Sequence, residues 1–336
     1  MSTFGSYGGT QLLQLELKPR SWLVEGIARE QDAILLVGNE KSGKSLFALQ
    51  LICSLTSQQP FMGKWQVAKP CRVTYLQLEG ELNDTQDRLK RMIRTQSFEP
   101  ELLHLMFYPP QELQEKSYSD GLADTILKFW NPEAKNFKDI TTRPDVVIID
   151  PIYFAFSGSL SDDDTVRRFM GNLRTFKERL GNCAIILLHH THKQKWDFTG
   201  NVINEGDEAT FGSKFLKAWA DHILLFLFDK ATGVRTLCCN TQRSGDIIKE
   251  CCLELIEPEP LYFKETTNRV TNKEEALVTL LKLSDNVNGL TINEIAHELS
   301  ISEKTFYNAV NPLVKSGIIE KDSTKKPVIY KYAKRD

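Results

Sequence analysis

Ala33-Ile34-Leu35-Leu36-Val37-Gly38-Asn39-Glu40-Lys41-Ser42-Gly43-Lys44-Ser45 decides the fold. The apolar run Ala33 to Val37 has the length of a buried strand, and Lys44 to Leu55 follows with helical periodicity and neither Pro nor Gly. Between them lies Gly-x-x-x-x-Gly-Lys-Ser, Gly38 to Ser45. Glycines in this pattern let backbone N–H groups curl around phosphate oxygens, the lysine neutralises the β and γ phosphates, and the serine hydroxyl ligates magnesium. The strand before and the helix after are the context the pattern needs, because the helix N-terminus adds partial positive charge where the phosphates sit. The stretch predicts an ATP and Mg2+ site built from Gly38, Asn39, Glu40, Lys41, Ser42, Gly43, Lys44 and Ser45.

Outward from this unit the alternation continues. Arg72 to Leu78, Leu102 to Tyr108, Val146 to Ile149 and Ala184 to Leu188 read as strands; Asn83 to Gln96, Asp120 to Trp130 and Thr165 to Leu180 read as helices between them. Such alternation predicts an α/β fold with a mostly parallel sheet covered by helices on both faces. Beyond residue 220 the pattern becomes strand on strand, Ile223 to Phe228, Val234 to Cys239 and Cys252 to Ile256, as expected for an antiparallel extension at the sheet edge. Polar residues from Lys264 to Lys273 then mark a boundary near residue 270.

The last segment is built differently. Lys273 to Leu283 is helical in pattern, Thr291 to Leu299 is a short helix with Thr291 and Glu294 as a capping box, and Ser302 opens a third helix that Gly317 ends after Lys315. Ile318 to Glu320 and Val328 to Tyr330 follow as a two-stranded wing, so the pattern is that of a winged helix-turn-helix. The expected organisation is a flexible segment over 1–20, a core domain over 21–265 and a winged-helix domain over 272–336.

With 336 residues and 41% hydrophobic content the chain can bury one large core and a small second one. A net charge of -2 gives no general attraction to nucleic acid, though a local basic face fits within that total. No apolar run has the length of a membrane span and the start is Gly/Ser-rich, so the expected location is cytoplasmic, without a membrane partner. The seven cysteines are odd in number and lack a CxxC pair, which favours reduced core thiols over a zinc site.

Three further positions carry chemistry. Asp150 ends the apolar run Val146 to Ile149, and a carboxylate at the C-terminal end of a buried strand beside the Gly38 strand is where magnesium needs negative charge, reached through water. Glu79 is the first residue past the strand Arg72 to Leu78 and suits orienting or deprotonating an attacking water; Glu81 is the alternative. His189 and His190 end the strand Ala184 to Leu188, from which an imidazole can sense a γ-phosphate.

Taken in order, Gly38 to Ser45, Leu78-Glu79-Gly80-Glu81, Ile148-Ile149-Asp150-Pro151, Leu187 to Lys193 with its His-His-Thr-His, and Gly212-Ser213-Lys214 before a helix ending in Asp221 resemble the RecA-like ATPases of the RepA hexameric helicase type. The likeness spans about Trp22 to Ile256. It implies a RecA-like core that assembles as a homo-oligomer, ring or filament, with ATP at subunit interfaces. It also implies Glu79 as the catalytic carboxylate, Asp150 as the Walker B acid and His190 as the γ-phosphate sensor. Asn240 to Gly245 is similar to the helicase segment that carries an arginine finger, which points to Arg243; Thr241 stands where those proteins have lysine, and Phe211 where many have arginine. Lys214 and Lys217 are the alternatives for the trans-acting cation, and a solvated hairpin residue is the plain reading of Arg243.

The stretch between His190 and Phe211 lacks strong periodicity and carries Lys193, Lys195, Trp196 and Phe198. Ammonium groups meet phosphates and rings stack on bases, so this composition suits single-stranded DNA, and the resemblance sets this loop at the central channel. On the C-terminal helix, Lys304 and Tyr307 are candidate duplex contacts. The leading expectation is an ATP-driven DNA helicase or translocase of replication or recombination. The alternative is an ATP-gated DNA-binding regulator or remodelling ATPase that unwinds nothing. A small-molecule kinase is disfavoured, because no acceptor pocket or lid is evident.

Overall fold

The computed structural model describes residues 7–16, 19–108, 112–155, 157–158, 162–190, 214–228, 234–242, 251–266, 277–278, 280–281, 289–299, 302–315 and 317–333. The chain divides into two compact units, one of Met1–Phe228 with Val234–Glu265 and the other of Asp229–Gly233 with Thr266–Asp336.

The first unit begins with a short helix α1 (Gly9–Gln14), which buries no residue, and the paired strands β1 (Trp22–Val24) and β2 (Ala28–Arg29). Strand β3 (Ala33–Gly38) then leads into helix α2 (Lys44–Ser57). The alternation continues with β4 (Val73–Gln77), α3 (Leu82–Met92), β5 (Leu103–Phe107), α4 (Lys116–Trp130), β6 (Val146–Asp150), α5 (Asp163–Arg179), β7 (Ala184–His190), α6 (Lys214–Trp219) and β8 (His222–Phe228). Strands β9 (Arg235–Gln242), β10 (Cys251–Ile256) and β11 (Tyr262–Thr266) complete the unit's sheet. Helix α4 starts at Lys116, ahead of the expected Asp120, and an exposed Lys116–Asp120 pair at 3.1 Å, one helical turn apart, adds a little support to its first turn.

The nine strands run in the order β11-β10-β9-β8-β3-β7-β6-β4-β5. From β8 to β5 all pairs are parallel, while β9 runs antiparallel to β8 and to β10. Both faces of the sheet are covered. Ile34 and Leu36 of β3 pack on one side with α2, and Leu35 and Val37 on the other with α4, α5 and α6, the alternation a strand imposes on successive side chains. Helix α2 is buried nearly all round, which explains its apolar composition on every face.

One sequence expectation is corrected by this order. The Asp150 strand was expected beside the Gly38 strand, but β7 lies between them, because β3 pairs with β7 and β6 with the far side of β7. Two strand intervals of about 4.8 Å separate the backbones of β3 and β6. Pattern alone does not order buried parallel strands, since each looks equally apolar from the sequence.

At the opposite end of the sheet, Asp32 is fully buried, bonded to His222 at 2.9 Å and paired with Arg20 at 2.8 Å. Burial pulls the His222 imidazole down, but the Asp32 carboxylate, aided by Cys239, outweighs it and lifts the group from 6.5 to about 9. A raised folded-state value means that stability from this pair is fully present below pH 6.5 and is lost as pH rises through about 9. Replacing His222 with Asn should cost on the order of 2 kcal/mol near neutrality. Urea melts should show that gap narrowing at alkaline pH; a gap independent of pH would refute the ionised pair.

The second unit contains β12 (Leu290–Thr291), helix α7 (Ile292–Glu298), helix α8 (Glu303–Lys315), β13 (Ile319–Asp322) and β14 (Ile329–Tyr332). Thr291 and Glu294 form the reciprocal cap of α7, and Ser302 accepts the Thr305 N–H at the start of α8. The three strands form a sheet in the order β12-β14-β13 around a core of Leu277, Leu281, Ile295, Phe306, Val310 and Tyr330. Gly317, at a φ of 69°, turns the chain out of α8 into β13. Among the described residues, no helix is long and apolar enough to cross a membrane.

Candidate nucleotide site

The parallel register brings the C-terminal ends of four strands to one edge. Gly38 of β3 is level with His190 of β7, Asp150 of β6 is level with Gln77 of β4, and Glu79 follows two residues beyond. Across the edge the order is therefore Glu79, Asp150, His190, then the Gly38 to Ser45 loop.

The loop is shaped by close approach. A Cβ added at Gly38 would lie 2.1 Å from the Phe226 carbonyl oxygen of the neighbouring β8, so no side chain fits there. Lys41 and Gly43 both have positive φ, 58° and 98°, the curl that turns successive backbone groups to one side. Lys44 is buried at the first turn of α2, and its ammonium donates to the carbonyls of Gly38 at 2.8 Å and Asn39 at 2.7 Å. Burial lowers its value from 10.5 to about 8, against the opposing pull of Asp150, Glu40 and Glu79. The cation thus stands at the mouth of the curled loop with acids around it.

Asp150 is buried on β6, where its carboxylate accepts from the Tyr75 hydroxyl at 2.6 Å, and the Ser45 hydroxyl is near enough to favour its charged form. Across the intervening β7, Asp150 and Ser45, the two groups assigned to magnesium from the sequence, come near enough to interact. Burial raises the Asp150 carboxyl above its ordinary value, while Tyr75, Ser45 and Lys44 hold it down. A carboxylate and a hydroxyl meeting at the loop mouth are hard oxygen donors, the set Mg2+ prefers. The residues present therefore fit a magnesium-bound triphosphate.

Glu79 keeps more than half its side chain exposed, and its carboxylate lies 4.0 Å from His190 Nε2. Burial, with Lys44 adding repulsion, lowers His190 to about 4, so the imidazole is neutral at physiological pH and the contact is not an ion pair. Its Nδ1 is buried and has no hydrogen-bond partner among the described residues. His189, one residue earlier, is buried within the sheet. Glu81 is exposed, as Glu79 is, and stands at the N-cap of helix α3.

Sequence reasoning missed the groups that hold these acids. Gln77 donates to the Glu79 carbonyl at 3.0 Å and accepts from Thr85 at 2.8 Å, and the Tyr108 hydroxyl donates to the Gly80 carbonyl at 2.9 Å. Tyr75 had one available signal: a tyrosine inside a buried strand needs a partner for its hydroxyl. Nothing local in the sequence points to Gln77 or Thr85.

Arg243, Lys193, Lys195, Trp196, Phe198 and Phe211 lie outside the described residues, as do the side chains of Lys214 and Lys304. Lys217 is on α6, and Tyr307 is exposed on α8.

A family model described as an AAA domain matches residues 10–195, more than half of the 336-residue chain. The chain belongs to this AAA domain family. The matched span of the AAA domain holds the loop, Glu79, Asp150 and His190 together. No curated protein matches the chain. Similar solved structures include a KaiC-like protein, PH0186, from the hyperthermophilic archaeon Pyrococcus horikoshii OT3, at 14% identity over 73% of this chain and 93% of that one, with a TM-score of 0.45. The RadB recombinase is similar at 17% identity over 70% and 91% of the two chains (TM-score 0.44). A further solved structure, described as an ATPase domain, is similar at 13% identity over 70% and 86% (TM-score 0.49).

Proposed function

We propose that this AAA domain protein is an ATP-hydrolysing, DNA-binding motor, a helicase or translocase of replication or recombination that works in the cytoplasm as a homo-oligomer with ATP at its subunit interfaces. The observation that carries the ATPase part is the meeting of Lys44, Ser45, Asp150, Glu79 and His190 at one edge of the parallel sheet. In this reading Gly38 to Ser45 cradle the triphosphate, and Lys44 neutralises its β and γ oxygens. Ser45 and, through water, Asp150 hold Mg2+, which supplies charge neutralisation at the phosphates. Glu79 orients the attacking water and takes its proton, and neutral His190 donates toward the γ-phosphate. Arg243 is the proposed cation from the neighbouring subunit, with Lys214 and Lys217 as alternatives.

The DNA part has separate support. Residues 21–265 are read as a RecA-like ATPase domain, with the Lys193–Trp196 stretch as single-strand contact. Residues 272–336 are read as a winged helix, with α7 and α8 as the helical pair, the β13–β14 hairpin as the wing, and Lys304 and Tyr307 as duplex contacts. Exposed Lys325 and Lys326 lie in the hairpin turn and add positive charge there. ATPase rate, measured with no DNA, with single strands and with duplex, should rise several-fold on single strands. The particle mass in solution should be a multiple of 38.4 kDa. Slow turnover indifferent to both DNAs would remove the motor and leave an ATP-gated regulator or remodelling ATPase.

A further inference from the structure

The Ser42–Gly43 peptide is gripped from outside by the antiparallel extension. The Arg235 Nε of β9 donates to the Ser42 carbonyl at 3.1 Å, and its guanidinium lies 4.2 Å over the Phe228 ring and 5.4 Å from that of Phe263. Phe263 of β11 is fully buried, and a Cβ built on Gly43 would stand 2.9 Å from its ring. Both backbone groups of Phe263 are bonded to one side chain: Gln50 donates to the Phe263 carbonyl at 2.9 Å and accepts the Phe263 N–H at 2.7 Å. Gln50 is itself buried on α2, the helix that Lys44 begins.

The geometry has a directional consequence. In a trans peptide the carbonyl and the following N–H point to opposite sides. Fixing the Ser42 carbonyl toward Arg235 therefore turns the Gly43 N–H away from Arg235. The Phe263 ring, seated by Gln50, closes the remaining space beside Gly43. The extension is also tied to the helix that follows Glu79, since Arg91 donates to the Pro258 carbonyl at 2.7 Å and Arg94 pairs with Glu259 at 2.7 Å, both in the β10–β11 turn.

We infer that Arg235 and Phe263 are positioning residues for phosphate binding, which lock the Ser42–Gly43 peptide in the orientation that presents its N–H to a phosphate, with Gln50 holding Phe263 in place. This inference rests on the nucleotide reading of Gly38 to Ser45. A preset peptide lowers the ordering cost of binding, so its loss is read in nucleotide affinity.

The test is titration of the full chain with a fluorescent ATP analogue, with thermal melting in the absence of nucleotide and steady-state hydrolysis alongside. Arg235→Ala should weaken Kd and raise KM by about tenfold, the effect of one charge-assisted bond, while kcat at saturating ATP and the melting temperature stay near wild type. Arg235→Lys, which keeps a donor, should recover most of the affinity. Phe263→Leu, which keeps the Gln50 bonds and trims the ring, should shift Kd in the same direction as Arg235→Ala. Failure of the wild type to bind the analogue would sink the nucleotide site itself, and this inference with it. Wild-type binding that Lys44→Ala abolishes and Arg235→Ala leaves intact would overturn the positioning role alone. A lowered melting temperature with unchanged Kd would reduce Arg235 to a structural brace.

Discussion

Lys44→Ala should lose nucleotide binding. The ammonium is the one cation that the described loop buries at its mouth, and a charge-assisted bond to each of two phosphates amounts to about 3–5 kcal/mol, or roughly a 10²–10³-fold rise in Kd. Its present bonds to the Gly38 and Asn39 carbonyls make the loop loosen as well, which adds to the loss. Titration with a fluorescent ATP analogue reads the affinity, and Lys44→Met, which keeps the apolar stem, separates lost charge from lost packing. Affinity close to wild type in both variants would mean that the triphosphate site lies elsewhere.

Glu79→Gln should separate binding from turnover. The amide is the same size as the carboxylate and leaves the Gln77–Thr85 support of the backbone in place, so ATP affinity should change little. It takes no proton from water, and removal of a general base costs about 10²–10⁴-fold in rate. Single-turnover hydrolysis against equilibrium binding makes the comparison. Full turnover in the variant would transfer the role to Glu81 at the N-cap of α3.

The difference between these variants and the Arg235 test follows the difference between what was legible in the sequence and what was not. Gly38 to Ser45 could be read directly because strand, loop and helix are contiguous, and each residue type serves a local backbone need. The ends of β4, β6 and β7 were legible because apolar runs stop where polar groups start, which gave Glu79, Asp150 and His190 as residues of one edge. Strand order was not. Apolar parallel strands carry no mark of their neighbours, so the intervention of β7 between Gly38 and Asp150 emerged only from the register. Strand β11 was also missed: its last three residues, Lys264 to Thr266, fall in the polar stretch Lys264 to Lys273 that marks the domain boundary in the sequence. Its partner Gln50 is separated from Phe263 by 213 positions, a distance no local pattern bridges.

Strand β11 closes the first unit, and its last residue, Thr266, is where the second unit resumes. Only Lys264 and Glu265 separate Thr266 from Phe263, whose ring abuts Gly43. Fraying of this strand end therefore reaches the wall beside Gly43 almost at once, so the shape of the loop depends on how firmly the end of β11 is held.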